Sequence, residues 1–131
     1  MPLDATYANM IINARLGTSS FVPPVTPVLC RLMVVNGNAT TLGTELATGG
    51  GYTSGTGAPV VTFAAAASQS AANNAAVIVT NMPACTVVGV ELWDSSGSPR
   101  RLEWVPLAAS KTCNAGDTFE LTTGQLTSAQ T

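Results

Sequence analysis

A chain of 131 residues is long enough for one domain with its own core. Only 9% of its residues are charged, against about a quarter in ordinary soluble domains, while 46% are hydrophobic. The five basic residues, with only Arg100 and Arg101 adjacent, do not make a phosphate-neutralising patch, and the absence of histidine removes imidazole zinc sites and Ser-His-Asp or Cys-His catalysis in their ordinary forms.

Asp4 to Gly17 reads as a helix. Asp4 is a suitable cap for the free N–H groups of the first turn, and Gly17 suits the left-handed residue that ends many helices. Tyr7, Met10, Ile11 and Ala14 recur at three- and four-residue intervals and form an apolar stripe, with Thr6, Asn9 and Asn13 opposite. So short a helix is marginal alone in water. It has to dock, either on its own sheet or on a neighbouring subunit. Thr18 to Pro27 holds Pro23, Pro24 and Pro27 and is expected to be an extended arm.

Val28 to Val35 is a strand by composition, and Asn36-Gly37 is a turn signal. Asn38 to Ala58 is rich in glycine and threonine, including Gly49-Gly50-Gly51 and Gly55-Thr56-Gly57. A phosphate cradle would need a helix after the glycines, and usually a lysine, and neither is present. A long surface excursion is the expectation, with subunit contact as its use. Pro59 to Phe63 reads as a short strand, Ala64 to Ala76 as a loop or edge, and Ala76 to Thr80 as a strand. The most apolar stretch, Ala75 to Trp93, is broken by Asn81, Pro83 and Gly89. It reads as strands, not as a membrane helix. The N-terminus has neither the basic start nor the apolar segment of a signal peptide.

The most definite element is a hairpin. Thr86 to Trp93 alternates, with Val88, Val90 and Leu92 against Val87, Gly89, Glu91 and Trp93. Asp94 to Pro99 turns. Arg100 to Leu107 resumes, with Leu102 and Trp104 on one face and Arg101, Glu103 and Val105 on the other. Ala108 to Thr112 follows, Asn114 to Asp117 turns the chain, Asp117 to Thr122 is a further strand, and Gly124 to Thr131 tails off. Short strands punctuated by turns predict an all-β fold, a β-sandwich of jelly-roll type with one N-terminal α-helix. Residues 1–27 would be helix and Pro-rich arm, and residues 28–131 the sandwich.

Little in this pattern carries chemistry. Glu91 and Glu103 are candidates to face each other across the hairpin as a glycosidase pair, but Glu91 opposite an arginine is the simpler arrangement. Asp94 with Ser95 and Ser96 is too thin a ligand set for calcium and better suited to holding a turn. Trp93 and Trp104 flank that turn, either as buried packing or as a sugar platform. Cys30, Cys85 and Cys113 are an odd set with no CxxC. Three reduced packing thiols are expected, with one bridged pair as the open alternative. An exterior of Thr, Ser, Asn, Gly and Ala is poorly protected against association and suits a surface covered by copies of itself.

Several segments resemble a known family: Asp4-Ala5-Thr6 with Ala8-Asn9, Gly49-Gly50-Gly51-Tyr52 ahead of Pro59-Val60-Val61-Thr62-Phe63, the Val87 to Asp94 strand, and Trp104-Val105-Pro106-Leu107. Lys111-Thr112, Asn114 to Asp117 and Gly124-Gln125-Leu126-Thr127 complete the order. The chain resembles the small tail-fibre-like or minor virion structural proteins of tailed phages that infect actinobacteria. It departs from their pattern in the longer Tyr52-to-Phe63 spacing and in Ser110 where proline is usual before Lys111. The resemblance implies a non-enzymatic protein of the virion, assembled in the host cytoplasm and freed by lysis. The main expectation is a capsid decoration or minor capsid protein, and the alternative is a tail-fibre or receptor-binding, lectin-like module. Implied partners are copies of itself, as a homotrimer, and phage major capsid or tail proteins, with a host surface glycan under the alternative. No nucleic acid, membrane or cofactor is expected. Tyr7, Ile11, Phe21 and Tyr52 are the candidate interface residues.

Overall fold

The computed structural model describes residues 3–129. Helix α1 spans Ala5–Arg15, and the Asp4 carboxylate caps it by accepting the N–H groups of Thr6 at 2.9 Å and Tyr7 at 3.4 Å. Gly17 leaves the helix at φ +75°, a conformation that glycine adopts without strain. The apolar stripe is half-buried and the Thr6, Asn9 and Asn13 side is exposed. α1 docks on its own sheet: the Asp4 N–H donates to the Leu102 carbonyl at 2.9 Å, and Leu3 forms a bridge with Glu103.

The strands among the described residues are β1 (Val28–Val35), β2 (Thr44–Glu45), β3 (Val60–Val61), β4 (Ser70–Ala72), β5 (Val77–Val79), β6 (Cys85–Trp93), β7 (Arg101–Cys113), β8 (Phe119–Leu121) and β9 (Thr127–Ala129). The main sheet is antiparallel in the order β2–β1–β6–β7, and β3 pairs with the other end of β1. Cys30 sits opposite Leu92 and Leu32 opposite Val90. These four side chains enter one core with Val77 and Val79 of β5, Phe119 and Leu121 of β8, and Leu126. The fold is therefore all-β with one N-terminal helix.

The second layer differs from a jelly roll, in which eight strands form two Greek keys. Here β5 pairs with β8 and β4 with β9 as separate two-stranded pieces. Asn73 joins them. It is 1% exposed, and its amide donates to Ala75 O at 2.9 Å and Thr122 O at 3.0 Å while accepting from Leu126 N at 2.9 Å. A buried amide so fully paired fixes one register for the whole ribbon.

Three further expectations are revised. The stretch after Gly124 does not tail off: it inserts Leu126 into the core and adds β9, while its last two residues, 130 and 131, lie outside the described residues. The Gly-rich segment is not a free excursion. Gly51 donates its N–H to Asn81 O at 2.7 Å, and a Cβ there would lie 2.0 Å from Thr80 O, so the loop packs backbone on backbone against the chain's own β5–β6 turn. The two segments after the hairpin turn form one strand, β7, with two irregularities. The register shifts between Leu92 and Trp93 of β6, and Arg101, Leu102 and Glu103 are consequently all buried, breaking the expected alternation.

Candidate functional site

The second face of the main sheet and the ground under α1 carry most of the chain's charge. Arg101, buried, donates from Nη1 to Glu91 Oε2 at 2.9 Å and from Nε to Asp4 Oδ2 at 2.9 Å. It also reaches the carbonyls of Thr41, at 3.0 Å, and Asn38. Glu91 accepts from Gly43 N at 2.8 Å and from the Trp93 indole N–H at 3.2 Å. Desolvation makes such a pair a weak source of net stability, but its partners are fully matched, so it fixes the position of the helix start and the 38–43 loop. Glu91 does pair with an arginine. It does not face Glu103: Trp104 lies opposite Glu91, and Leu92 opposite Glu103.

Arg31 continues the network, stacked 4.0 Å from the Trp93 ring centre and 3.9 Å from Glu45. Glu45 accepts the Tyr52 hydroxyl at 2.6 Å and the Gly55 N–H at 2.9 Å, and the same hydroxyl accepts the Leu32 N–H at 3.1 Å. Burial, and then the Glu45 carboxylate, hold the Tyr52 phenol far above its usual range.

The hairpin turn grips the arm. The Asp94 side chain has no exposed surface. It accepts Arg100 N at 2.8 Å, Arg100 Nε at 3.1 Å and Val25 N at 3.3 Å. Burial works to raise its pKa, but the backbone N–H donors of Arg100 and Val25, with Arg100 and Ser96 side chains, outweigh burial and lower it. Arg100 extends to the carbonyls of Val22 at 3.2 Å and Pro23 at 2.9 Å, and lies 5.9 Å from the Tyr7 ring centre. Ser95 N donates to Val25 O at 2.9 Å, and Ser95 Oγ donates to Pro27 O.

What remains outside is nearly chargeless. Asp4, Arg31, Glu45, Glu91, Asp94, Arg100, Arg101 and Glu103 are all taken up in contacts within the chain. Arg15, Lys111, Asp117 and Glu120 lie further out, and of these Lys111 donates to Glu120 O at 2.8 Å while Asp117 Oδ2 accepts from Asn114 N at 2.8 Å. Against this background the helix end and arm present Ile12, Leu16, Phe21, Val22 and Val25, with Leu16 70% exposed.

Of the expected interface residues, Tyr7 and Phe21 come together with ring centres 6.1 Å apart, and Ile11 lies half-buried on the same helix. Tyr52 is elsewhere. It is 1% exposed and plugged into the core, so its side chain offers no surface to a partner. Leu16, Val22 and Val25 were not singled out from the sequence, although apolar residues in a Pro-rich arm without a facing strand are a usable signal.

Between α1, the main sheet and the second layer lies a cleft of about 220 Å3 lined by Tyr7, Val28, Phe63, Ala71, Leu92, Leu102, Glu103 and Ser128. Glu103 Oε1 accepts from Ser128 Oγ at 2.5 Å, whereas Oε2 is buried without a hydrogen-bond partner. Burial pushes its carboxyl above the usual range. The two tryptophans form no open platform: Trp93 is covered by Arg31, and Trp104 is half-buried with its indole nitrogen fully enclosed.

Among the described residues, no group of three or more His, Cys, Asp or Glu is placed to hold a metal ion, and no helix is long and apolar enough to cross a membrane. No curated protein matches the chain. The model of one protein family, described as podophage GP4 fiber I protein gp80, matches residues 2–129. That span is nearly the whole molecule, and the chain belongs to this family of phage fibre proteins, which makes it a component of the virion.

Proposed function

We propose that this chain is a non-enzymatic structural subunit of the phage fibre apparatus that associates with further copies of itself, as a trimer, through the helix end and arm. The observation that carries the reading is the set of exposed apolar residues Ile12 and Leu16 at the helix end and Phe21, Val22 and Val25 on the arm, which Asp94, Ser95 and Arg100 hold in place. A rigidly presented apolar strip loses little freedom on docking, which favours association. The fibre description favours this reading over decoration of the capsid, which gains no specific support. Assembly in the cytoplasm of an actinobacterial host remains part of the proposal. Sedimentation of the purified chain tests it. The wild type should run as an oligomer, and Leu16→Lys with Val22→Lys should run as a folded monomer. A wild type that stays monomeric at high concentration overturns the reading.

A receptor-contacting role for the same fibre subunit has one observation behind it, the cleft at Glu103. Two aromatic rings, Tyr7 and Phe63, a serine hydroxyl and a carboxylate oxygen without a partner suit a sugar ring with one apolar face. Titration with host surface glycans should give heat that Glu103→Gln weakens at least about tenfold. No binding by the wild type removes this role and leaves the structural one standing.

A further inference from the structure

Cys85 opens β6 and Cys113 closes β7, and the ladder sets them directly opposite each other. We propose that Cys85 and Cys113 are an oxidation site that closes a cross-strand disulfide at the base of the β6–β7 hairpin.

The geometry favours closure without movement of the backbone. Directly opposed residues in an antiparallel pair have Cα atoms about 4.5 or 5.5 Å apart, and both spacings fall in the range that disulfides span. The next pair, Thr86 and Thr112, confirms the tight register, with hydroxyl oxygens 3.2 Å apart. Burial first, and then the neighbouring Cys113 thiol, raise the Cys85 pKa, so Cys85 forms its thiolate most readily in mildly alkaline solution. Access is asymmetric. Cys85 is half-exposed and Cys113 is buried, so Cys85 meets the oxidant and Cys113 resolves. Cys30 provides the contrast, since it is wholly enclosed in the core and its thiol is pushed by burial up to about 12. It has no thiolate to offer near neutral pH and no facing cysteine.

The oxidant is a small-molecule disulfide such as oxidised glutathione. Deprotonated Cys85 attacks one of its sulfurs, the glutathione S–S bond breaks, and one glutathione thiolate leaves, giving a mixed disulfide on Cys85. Deprotonated Cys113 then attacks the Cys85 sulfur and the second glutathione leaves. The two protein thiols lose two electrons and two protons together. The glutathione disulfide takes up both and ends as two thiols. A reduced pair in a reducing cell and a closed pair outside it is the expected sequence for a protein that leaves its host.

The test uses the full chain, purified with reductant and then exposed to oxidised glutathione at mildly alkaline pH. Intact mass should fall by about 2 Da. The thiols titrated after denaturation should drop from three to one, and a non-reducing peptide map should join the Cys85 and Cys113 peptides. Melting temperature should rise by roughly 5 °C or more, because the closed loop restricts the unfolded chain. Cys30→Ser should keep the link and Cys85→Ser should lose it. Three thiols surviving in folded protein, a glutathione adduct that never resolves, or a link through Cys30 or between chains would each overturn the proposal. The wild-type map alone decides, should a variant fail to fold.

Discussion

At the scale of single residues, the side chains that look most available for surface work are those the fold keeps for itself. Tyr52 is the clearest case. Its ring fills the core while its hydroxyl closes a chain from the Leu32 amide to the Glu45 carboxylate. Tyr52→Phe keeps the ring and removes the hydroxyl, leaving the Leu32 N–H without that acceptor in a buried setting. The expected loss is roughly 1–3 kcal/mol, read from urea unfolding, with oligomeric state unchanged. A loss near zero would mean that water replaces the hydroxyl. Nothing near Tyr52 in the chain announces this role. Its partners are Glu45 and a backbone amide of β1, brought together only by the fold. Tyr7, Ile11 and Phe21, by contrast, are readable in advance, because helical spacing and a Pro-rich arm are local patterns.

At the scale of elements, the arm is tied to the hairpin turn by Ser95, by Arg100 and by Asp94, which also orients Arg100. Asp94 has its pKa lowered in the folded chain, so it binds a proton more weakly there than when unfolded. Its contribution is therefore present above the unfolded value of 3.8 and is lost as pH falls below that towards the folded pKa. Limited proteolysis or hydrogen exchange should find residues 18–27 protected at neutral pH and released in acid. Asp94→Asn should release them at neutral pH as well, with the core strands still protected. Simultaneous loss of arm and core would show that the two are not separable. The same scale explains which elements the sequence discloses. β1 is readable from eight bulky residues in a row, and α1 from its cap and stripe. β4 and β9 are not: Ser70–Ala72 and Thr127–Ala129 contain no large apolar residue, and their pairing is imposed by Asn73 from outside both. The shifts along β7 are equally hidden, since a bulge leaves no mark in composition and reassigns every face beyond it.

At the scale of the whole molecule, the composition understates how neutral the exterior is. A charged fraction of 9% suggests a sparse coat, but most of those charges lie under α1, under the arm or against Trp93. Association of such a surface is governed by apolar area, which salt does not screen. The oligomer proposed above should persist in about 1 M sodium chloride, as followed by light scattering, and should dissociate in urea below the unfolding midpoint. Dissociation by salt alone would instead point to Arg15, Lys111, Asp117 or Glu120 as the contacts.

The enclosed charges also reverse the usual map of mutational tolerance. In most domains a lysine or glutamate marks a place where drift is cheap, and the aliphatic residues mark where it is not. Here Asp4, Glu91, Asp94 and Arg101 are enclosed and paired, so removing one partner alone strands the charge or backbone group it satisfied. Substitution should be cheapest at the exposed threonines, serines and alanines around them, so the outer texture of this molecule can change while the enclosed ions keep their partners.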